Sequence, residues 1–323
     1  MGGPVGAPPS RETIEQAFEL YRQFGTIRRV ARELNLPLTT VHTWLNDIGP
    51  RVYGTPRPDR NATPDAKGRR EMDVETGVVF IAADAHYWPG EPSTGHKALI
   101  RFLKREKNLA ALVMNGDAYD FSSISHYPNI GWSSQPTVQQ ELEVVEERLM
   151  ELVKACPKGT KRYFPLGNHD ARFETFIANK TPELKGVSGT SLIDRHPLWE
   201  PCWSLFINNR PGGLVVKHRF KGGIHATHNN TMWAGRSIAT GHLHSQKCTP
   251  FSDLNGTRWG VDVGCLAEVY ASPFQDWMED NPRNWVSGFA RCKFVDGRLL
   301  TPELIRVVEP GMVEFRGELI SVE

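Results

Sequence analysis

The chain has 323 residues, 39% of them hydrophobic, and a formal net charge of +1. That length admits one large catalytic domain with a small appendage and a sizeable core, while the charge by itself assigns no partner. Five scattered cysteines, Cys156, Cys202, Cys248, Cys265 and Cys292, form no CxxC pair, a pattern that suits reduced thiols better than a disulfide framework or a zinc knuckle, and no stretch approaches a membrane span; the expectation is an intracellular, cytoplasmic protein with no membrane partner.

Residues 10–48 read as three helices. Ser10 is a cap for the first, whose apolar positions Ile14, Ala17, Phe18 and Tyr21 follow helical spacing, and Gly25 ends it. Thr26 caps a second carrying Ile27, Val30, Ala31 and Leu34. Asn35-Leu36-Pro37 breaks it, and Thr39 or Thr40 opens a third with Val41, Trp44 and Leu45 inward. From Arg22 to Arg70 there are ten basic residues against four acids, although Glu12, Glu15 and Glu19 lie just upstream. Residues 49–73 are rich in Pro, Gly and Arg and read as a linker, so the domain division is 1–48, 49–73 and 74–323.

From Val74 onward strands alternate with helices. Helices are expected over 94–107, over 137–155 and from Asp170. After His218 the character is mostly strand, with 258–263 and 290–295 as candidates and Asp296-Gly297 as a hairpin turn. Four apolar strands break into metal-type ligands. Val78 to Ala83 precedes Asp84-Ala85-His86, Ala111 to Asn115 precedes Gly116-Asp117, Tyr163 to Leu166 precedes Gly167-Asn168-His169-Asp170, and Ile238 to Thr240 precedes Gly241-His242-Leu243-His244.

These four segments, with Ala118-Tyr119-Asp120 after Asp117, resemble in order and spacing the calcineurin-like metallophosphoesterases, phage- and prophage-type members above all. The resemblance implies a four-layer α/β sandwich of two mixed β-sheets flanked by helices, holding two divalent metals. Carried over residue by residue, it implies Asp84, His86, Asp117 and His244 on one metal, with Asp117 bridging to a second held by Asn168, His218 and His242. A bridging carboxylate suits a two-metal clamp on a phosphoryl group, and mixed imidazole and carboxylate ligands favour Mn, Fe, Zn or Co over Ca without choosing among them; the cofactor expected is a pair of Mn ions, with Fe, Zn, Co or Ni as alternatives. His169 is the implied acid for the leaving oxygen, with Asp170 holding its other nitrogen, and Asp120 orients a ligand. His218 departs from the family's usual His-Gly, and His225 and His228 compete with it or contact the substrate. Arg172 and Arg219 are the cationic candidates for a phosphate.

The stretch Ile27 to Leu45 resembles the helix-turn-helix of resolvases and homeodomain-like transposase domains. Arg28, Arg29, Thr39, His42 and Thr43 are its DNA-contact candidates, and a three-helix protein-contact module is the competing reading. Tyr119, Phe121, His126, Tyr127 and Trp132 form an aromatic-rich loop, and Trp199, Trp203 and Trp233 flank His218. Such rings stack on bases or fill a core, and the core is the commoner fate. The function expected is metal-dependent phosphate-ester hydrolysis, with a nucleic acid, DNA among them, as the first partner. A phosphatase or phosphodiesterase for a nucleotide, cyclic nucleotide or phosphoprotein is the alternative, and an adaptor with a structural metal core is the third reading.

Overall fold

The computed structural model describes residues 11–24, 26–45, 68–127, 134–269 and 284–323. The chain divides into two compact units, 1–68 and 69–323.

The first unit carries α1 (Arg11–Phe24), α2 (Ile27–Glu33) and α3 (Leu38–Thr43). Ile14, Ala17, Phe18, Val30, Ala31, Val41, Trp44 and Leu45 close into one apolar cluster, as the helical spacing requires. Ser10 and Gly25 lie outside the described residues. Thr26 occupies the N-cap of α2, but its side chain accepts no capping bond. The third helix begins before Thr39: Pro37 is its N-cap, with φ −56°, and a residue without an N–H costs nothing at a helix start.

In the second unit the linker gives way sooner than its composition suggests. Residues 49–67 lie outside the described residues, but Arg69–Met72 is a strand, β1, paired in parallel with Ser204–Ile207, β6. Only Met72 and then Val74 are buried, so a strand with three charged residues at a sheet edge looks like tether in the sequence.

Two mixed sheets make up this unit. The larger contains β2 (Gly77–Ala82), β3 (Leu109–Met114), β4 (Lys161–Pro165) and β5 (Glu200–Cys202) in parallel order. It continues antiparallel from β2 through Gly288–Val295, Glu303–Glu309, Met312–Phe315 and Glu318–Ser321. The hairpin at Asp296-Gly297 is present, with φ 51° and 72° at the two turn residues. The smaller sheet runs β1, β6, then β7 (Leu214–Val216), β8 (Ser237–Thr240), Gly256–Val263 and Gln246–Asp253.

Strand β2 explains the layering. Its side chains alternate in direction. Val78, Phe80 and Ala82 join a cluster with Leu99 and Leu103 of α4 (Thr94–Arg105) and with Leu142, Val145 and Leu149 of α5 (Val138–Ala155). Val79 and Ile81 face the other way, onto Leu205, Leu214, Val216, Ala239 and Val261 of the smaller sheet. Buried on both faces, β2 reads as a continuous apolar run. Helix α5 opens on a full capping box, with Thr137 and Gln140 bonding each other's backbone N–H. A helix over Asp170–Lys180 follows β4, and another over Ala226–Ala234 packs on the outer side of the smaller sheet. Among the described residues no helix is long and apolar enough to cross a membrane.

Candidate metal centre

Five strands from the two sheets, β2, β3, β4, β7 and β8, end beside one another, and each breaks into a loop carrying candidate ligands. The loops are tied together by their backbones. Asp84 N–H donates to the Gly116 carbonyl at 2.9 Å, His86 N–H to the Asp117 carbonyl at 3.0 Å, and Gly241 N–H to the His218 carbonyl at 3.0 Å. Five of the ten described non-glycine residues with positive φ lie here: Asp84, His86, Asp117, His242 and His244. Left-handed backbone at such residues costs on the order of 1–3 kcal/mol each and persists where surroundings over-determine it. Glycine supplies the close approach: a Cβ on Gly167 would overlap Asp117 Oδ1, and one on Gly241 would overlap Asp84 Oδ2.

Among the described residues, three overlapping groups have one ligand atom per residue within 4.8 Å of one another and could hold a metal ion: Asp84, His86 and His244; His86, Asp117 and His169; Asp117, His218 and His242. Asp117 belongs to two of them. The donor set fits a cation on electronic grounds. His218 Nδ1 donates to the Asn115 carbonyl at 2.8 Å, so in the neutral ring Nε2 carries the lone pair. That nitrogen lies 3.0 Å from Asp117 Oδ2 without hydrogen-bond geometry. His86 repeats the arrangement. Its Nδ1 faces Asp120 Oδ1 at 3.1 Å, which leaves Nε2 at 3.3 Å from His244 Nε2, itself 3.2 Å from Asp84 Oδ1. Asn168 Oδ1 is buried with no hydrogen-bond partner. Electron pairs that face each other at these distances need a proton or a cation between them.

The electrostatics agree. Burial works against charge on Asp84, but His244 and His218 beside it hold its carboxyl below the ordinary range. Burial likewise opposes Asp117, and His218 more than offsets it. His218 itself is pushed up to about 10 against the cost of burial, because Asp117 and Asp84 face it. Burial and the neighbouring His218 charge lower His242 to about 4. Burial lowers His86 too, so both rings stay neutral and able to donate a lone pair near neutral pH.

Two expectations about His169 need correction or refinement. Asp170 does not hold its ring. The Asp170 carboxylate is buried and accepts backbone N–H bonds from Asp117 at 2.8 Å, Ala118 at 3.1 Å, Tyr119 at 3.2 Å and Gly167 at 2.7 Å. A carboxylate engaged by four backbone donors has no lone pair directed at an imidazole; it joins two loops. Asp120 takes the expected place, with Oδ1 at 3.0 Å from His169 Nδ1, so one carboxylate orients both His86 and His169. His169 Nε2 lies 4.0 Å from Asp117 Oδ2. Burial lowers the pKa of the ring, but the Asp120 hydrogen bond and the Asp117 and Asp120 charges raise it above the ordinary histidine value.

The remaining candidates scatter. Arg172 is half-buried, donating to the Asp120 carbonyl at 2.8 Å, with Nη2 at 3.2 Å from His169 Nε2. Arg219 is exposed beside His218. His225 and His228 are exposed and belong to none of the three groups; the His228 ring packs on Phe251 at 5.3 Å. Tyr119, Phe121 and Trp199 are core, whereas Tyr127, Trp203 and Trp233 are exposed; Trp132 lies outside the described residues. Trp285, which the sequence did not single out, stacks 4.6 Å from His244. In the first unit Arg28, Arg29, Thr39, His42 and Thr43 are all exposed, and the Arg29 guanidinium lies over Phe24 at 4.5 Å.

No family model matches the chain, and no curated protein matches it. Among solved structures it is similar to Vps29 from Entamoeba histolytica in complex with zinc, at 11% identity and TM-score 0.38, over 76% of this chain and 99% of that one. Vps29 from Chaetomium thermophilum matches at 9% identity and TM-score 0.42, over 76% and 95%. An archaeal phosphodiesterase matches at 10% identity and TM-score 0.34, over 71% and 99%. These are distant likenesses, and no residue role is transferred from them.

Proposed function

We propose that this chain is a metal-dependent phosphoesterase working with two divalent ions, and that its substrate is a nucleic-acid phosphodiester. The observation that carries the reading is the convergence of imidazole nitrogens and carboxylate oxygens in a buried cluster, His86 Nε2 against His244 Nε2 and Asp84 Oδ1, and His218 Nε2 against Asp117 Oδ2, each pair needing a proton or a cation between its atoms. In this reading Asp84, His86 and His244 would hold one ion and Asn168, His218 and His242 the other, with Asp117, which belongs to two of the groups, shared between them. Such ions, of which we propose Mn first although imidazole and carboxylate ligands also accept Fe, Zn, Co or Ni, would supply Lewis-acid polarisation of a phosphate ester and make water more acidic.

The chain's own residues do the rest. Asp120 fixes the tautomer of His86 through Nδ1 and so aims its Nε2 lone pair inward. His169, held by the same carboxylate and raised in pKa, would give a proton from Nε2 to the leaving oxygen once the phosphate draws the Arg172 guanidinium off that nitrogen. Arg172, beside that nitrogen, adds positive charge where a phosphate would sit. The nucleic-acid part of the reading draws on the three-helix unit, where Arg28, Arg29, Thr39, His42 and Thr43 are exposed and would form the contact surface of a helix-turn-helix.

The test is hydrolysis of bis-p-nitrophenyl phosphate, p-nitrophenyl phosphate and single- and double-stranded DNA with Mn, comparing wild type with Asp117→Asn. DNA cleavage that disappears in the variant supports the reading. Cleavage of the small esters alone sinks its nucleic-acid part, and metal-loaded wild type inert towards every substrate leaves a binding adaptor.

A further inference from the structure

Residues 201–252 contain no Asp or Glu, yet carry Arg210, Lys217, Arg219, Lys221, Arg236 and Lys247. In a chain of net charge +1 this block is therefore uniformly positive while the remainder is net acidic. It also contains His218, His242 and His244. From the buried His218 the chain turns outward through Arg219, Phe220 and Lys221, all exposed, then through Ile224, 76% exposed, to Trp233 at the end of the Ala226–Ala234 helix, 66% exposed.

The outward turn is a fixed surface. Lys221 N–H donates to Asn230 Oδ1 at 2.9 Å, Lys247 Nζ donates to the Ile224 carbonyl at 3.1 Å, and Thr227 and Thr249 share a hydroxyl bond of 2.8 Å. The Lys221 ammonium stands 4.9 Å from the Trp233 ring, so a cation and an indole face are presented together. Phe220, 39% exposed, lies on the stretch between that pair and the ligand His218.

We propose that this ridge is the path of a single-stranded nucleic acid into the metal centre. Arg219 and Lys221 neutralise phosphates, and Trp233 and Phe220 stack on unpaired bases. The inference rests on the phosphoesterase reading above and specifies its substrate class. Cations interleaved with exposed rings, on a stretch of sequence without Asp or Glu, are what sequence-tolerant strand binding uses. Stacking favours single over double strands because paired bases already cover one another's faces. A base arriving on Trp233 displaces Lys221 from the ring and frees its ammonium for a phosphate.

The experiment is fluorescence anisotropy of a labelled oligothymidylate with the full chain in EDTA, where nothing is turned over. Trp233→Ala is expected to weaken binding about tenfold. Lys221→Gln lowers the slope of log affinity against log salt by about 1. Trp203→Ala, at another exposed indole, leaves both unchanged, and thermal melting shows that all three variants fold. The ridge is overturned if Trp233→Ala and Lys221→Gln bind like wild type, or if Trp203→Ala weakens binding as much. It is also overturned if Trp233→Ala weakens binding of a duplex of the same sequence as much as that of the single strand, or if polyglutamate competes equally, which points to an acidic protein. A chain that binds in this pattern yet never hydrolyses fails the catalytic reading alone; one that hydrolyses with ridge variants unaffected fails the ridge alone.

Discussion

Asp120 holds two imidazoles with one carboxylate oxygen, His86 at 3.1 Å and His169 at 3.0 Å, and so, in the proposed mechanism, would link ligand orientation to proton donation. His169→Ala is expected to lower kcat about 10²–10⁴-fold with bound metal retained, checked by hydrolysis alongside metal analysis. A donor with a raised pKa keeps its proton to higher pH, so the rate falls on the alkaline side as His169 loses it. Asp120→Asn removes the largest raising influence; at saturating Mn the alkaline limb should move to lower pH, and metal affinity should drop about 10–100-fold through His86. Glu141 offers a separate pH test. Burial, then the Asp120 charge, push its carboxyl up to about 7, while it accepts bonds from Phe121 N–H and Ser122 Oγ. A carboxyl raised on folding stabilises the protein fully only below its unfolded value, and that stability is lost as pH rises through about 7. Wild type should therefore lose melting temperature relative to Glu141→Gln between acid and mildly alkaline pH; parallel melting curves across that window would refute the assignment.

Loops joined by shared acceptors, rather than regular elements, hold the site. The Asp170 carboxylate collects N–H groups from the Asp117–Tyr119 turn and from Gly167, so the loops after β3 and β4 move as one. Asp170→Ala leaves those buried donors unpaired and should cost about 3 kcal/mol or more, measured by urea unfolding. Gly167→Ala tests geometry instead. Its Cβ would overlap Asp117 Oδ1, so metal retention should fall more than stability does. Remote from the site, Thr137→Ala removes half of the capping box on α5 and should cost about 1 kcal/mol with hydrolysis untouched.

On the scale of the whole molecule, the two sheets place ligands from both halves of the chain in one spot: Asp84 and His244 are 3.2 Å apart across the inter-sheet seam. Both apolar clusters that support this seam draw only on residues from Met72 onward. A chain beginning at Gly68 should therefore fold alone, keep its rate on bis-p-nitrophenyl phosphate, and lose salt-dependent duplex affinity if the three-helix unit contacts DNA. A truncated chain that aggregates, or loses the small-ester activity, would show that the units depend on each other.

The sequence by itself determined the strand-to-loop breaks, the helices of the first unit, the capped α5 and the Asp296-Gly297 hairpin, because each is written in side chains next to one another along the chain. It also marked Asp84, His86, Asp117, Asn168, His242 and His244 as candidate ligands, because polar residues directly after apolar runs are locally visible; the roles, and the choice of His169 and of His218 over His225 and His228, rest on the family resemblance. Only the tertiary structure decided the rest. Arg69–Met72 became a strand because β6 lies beside it. Asp170 turned from an imidazole partner into a loop tie because its four N–H donors include three that are 51 to 53 residues away. Tyr119 and Phe121 went to the core while Trp233 stayed in solvent, and Trp285 came to rest on His244. Burial and hydrogen-bond partners depend on which distant elements become neighbours, and periodicity along one segment carries no information about that.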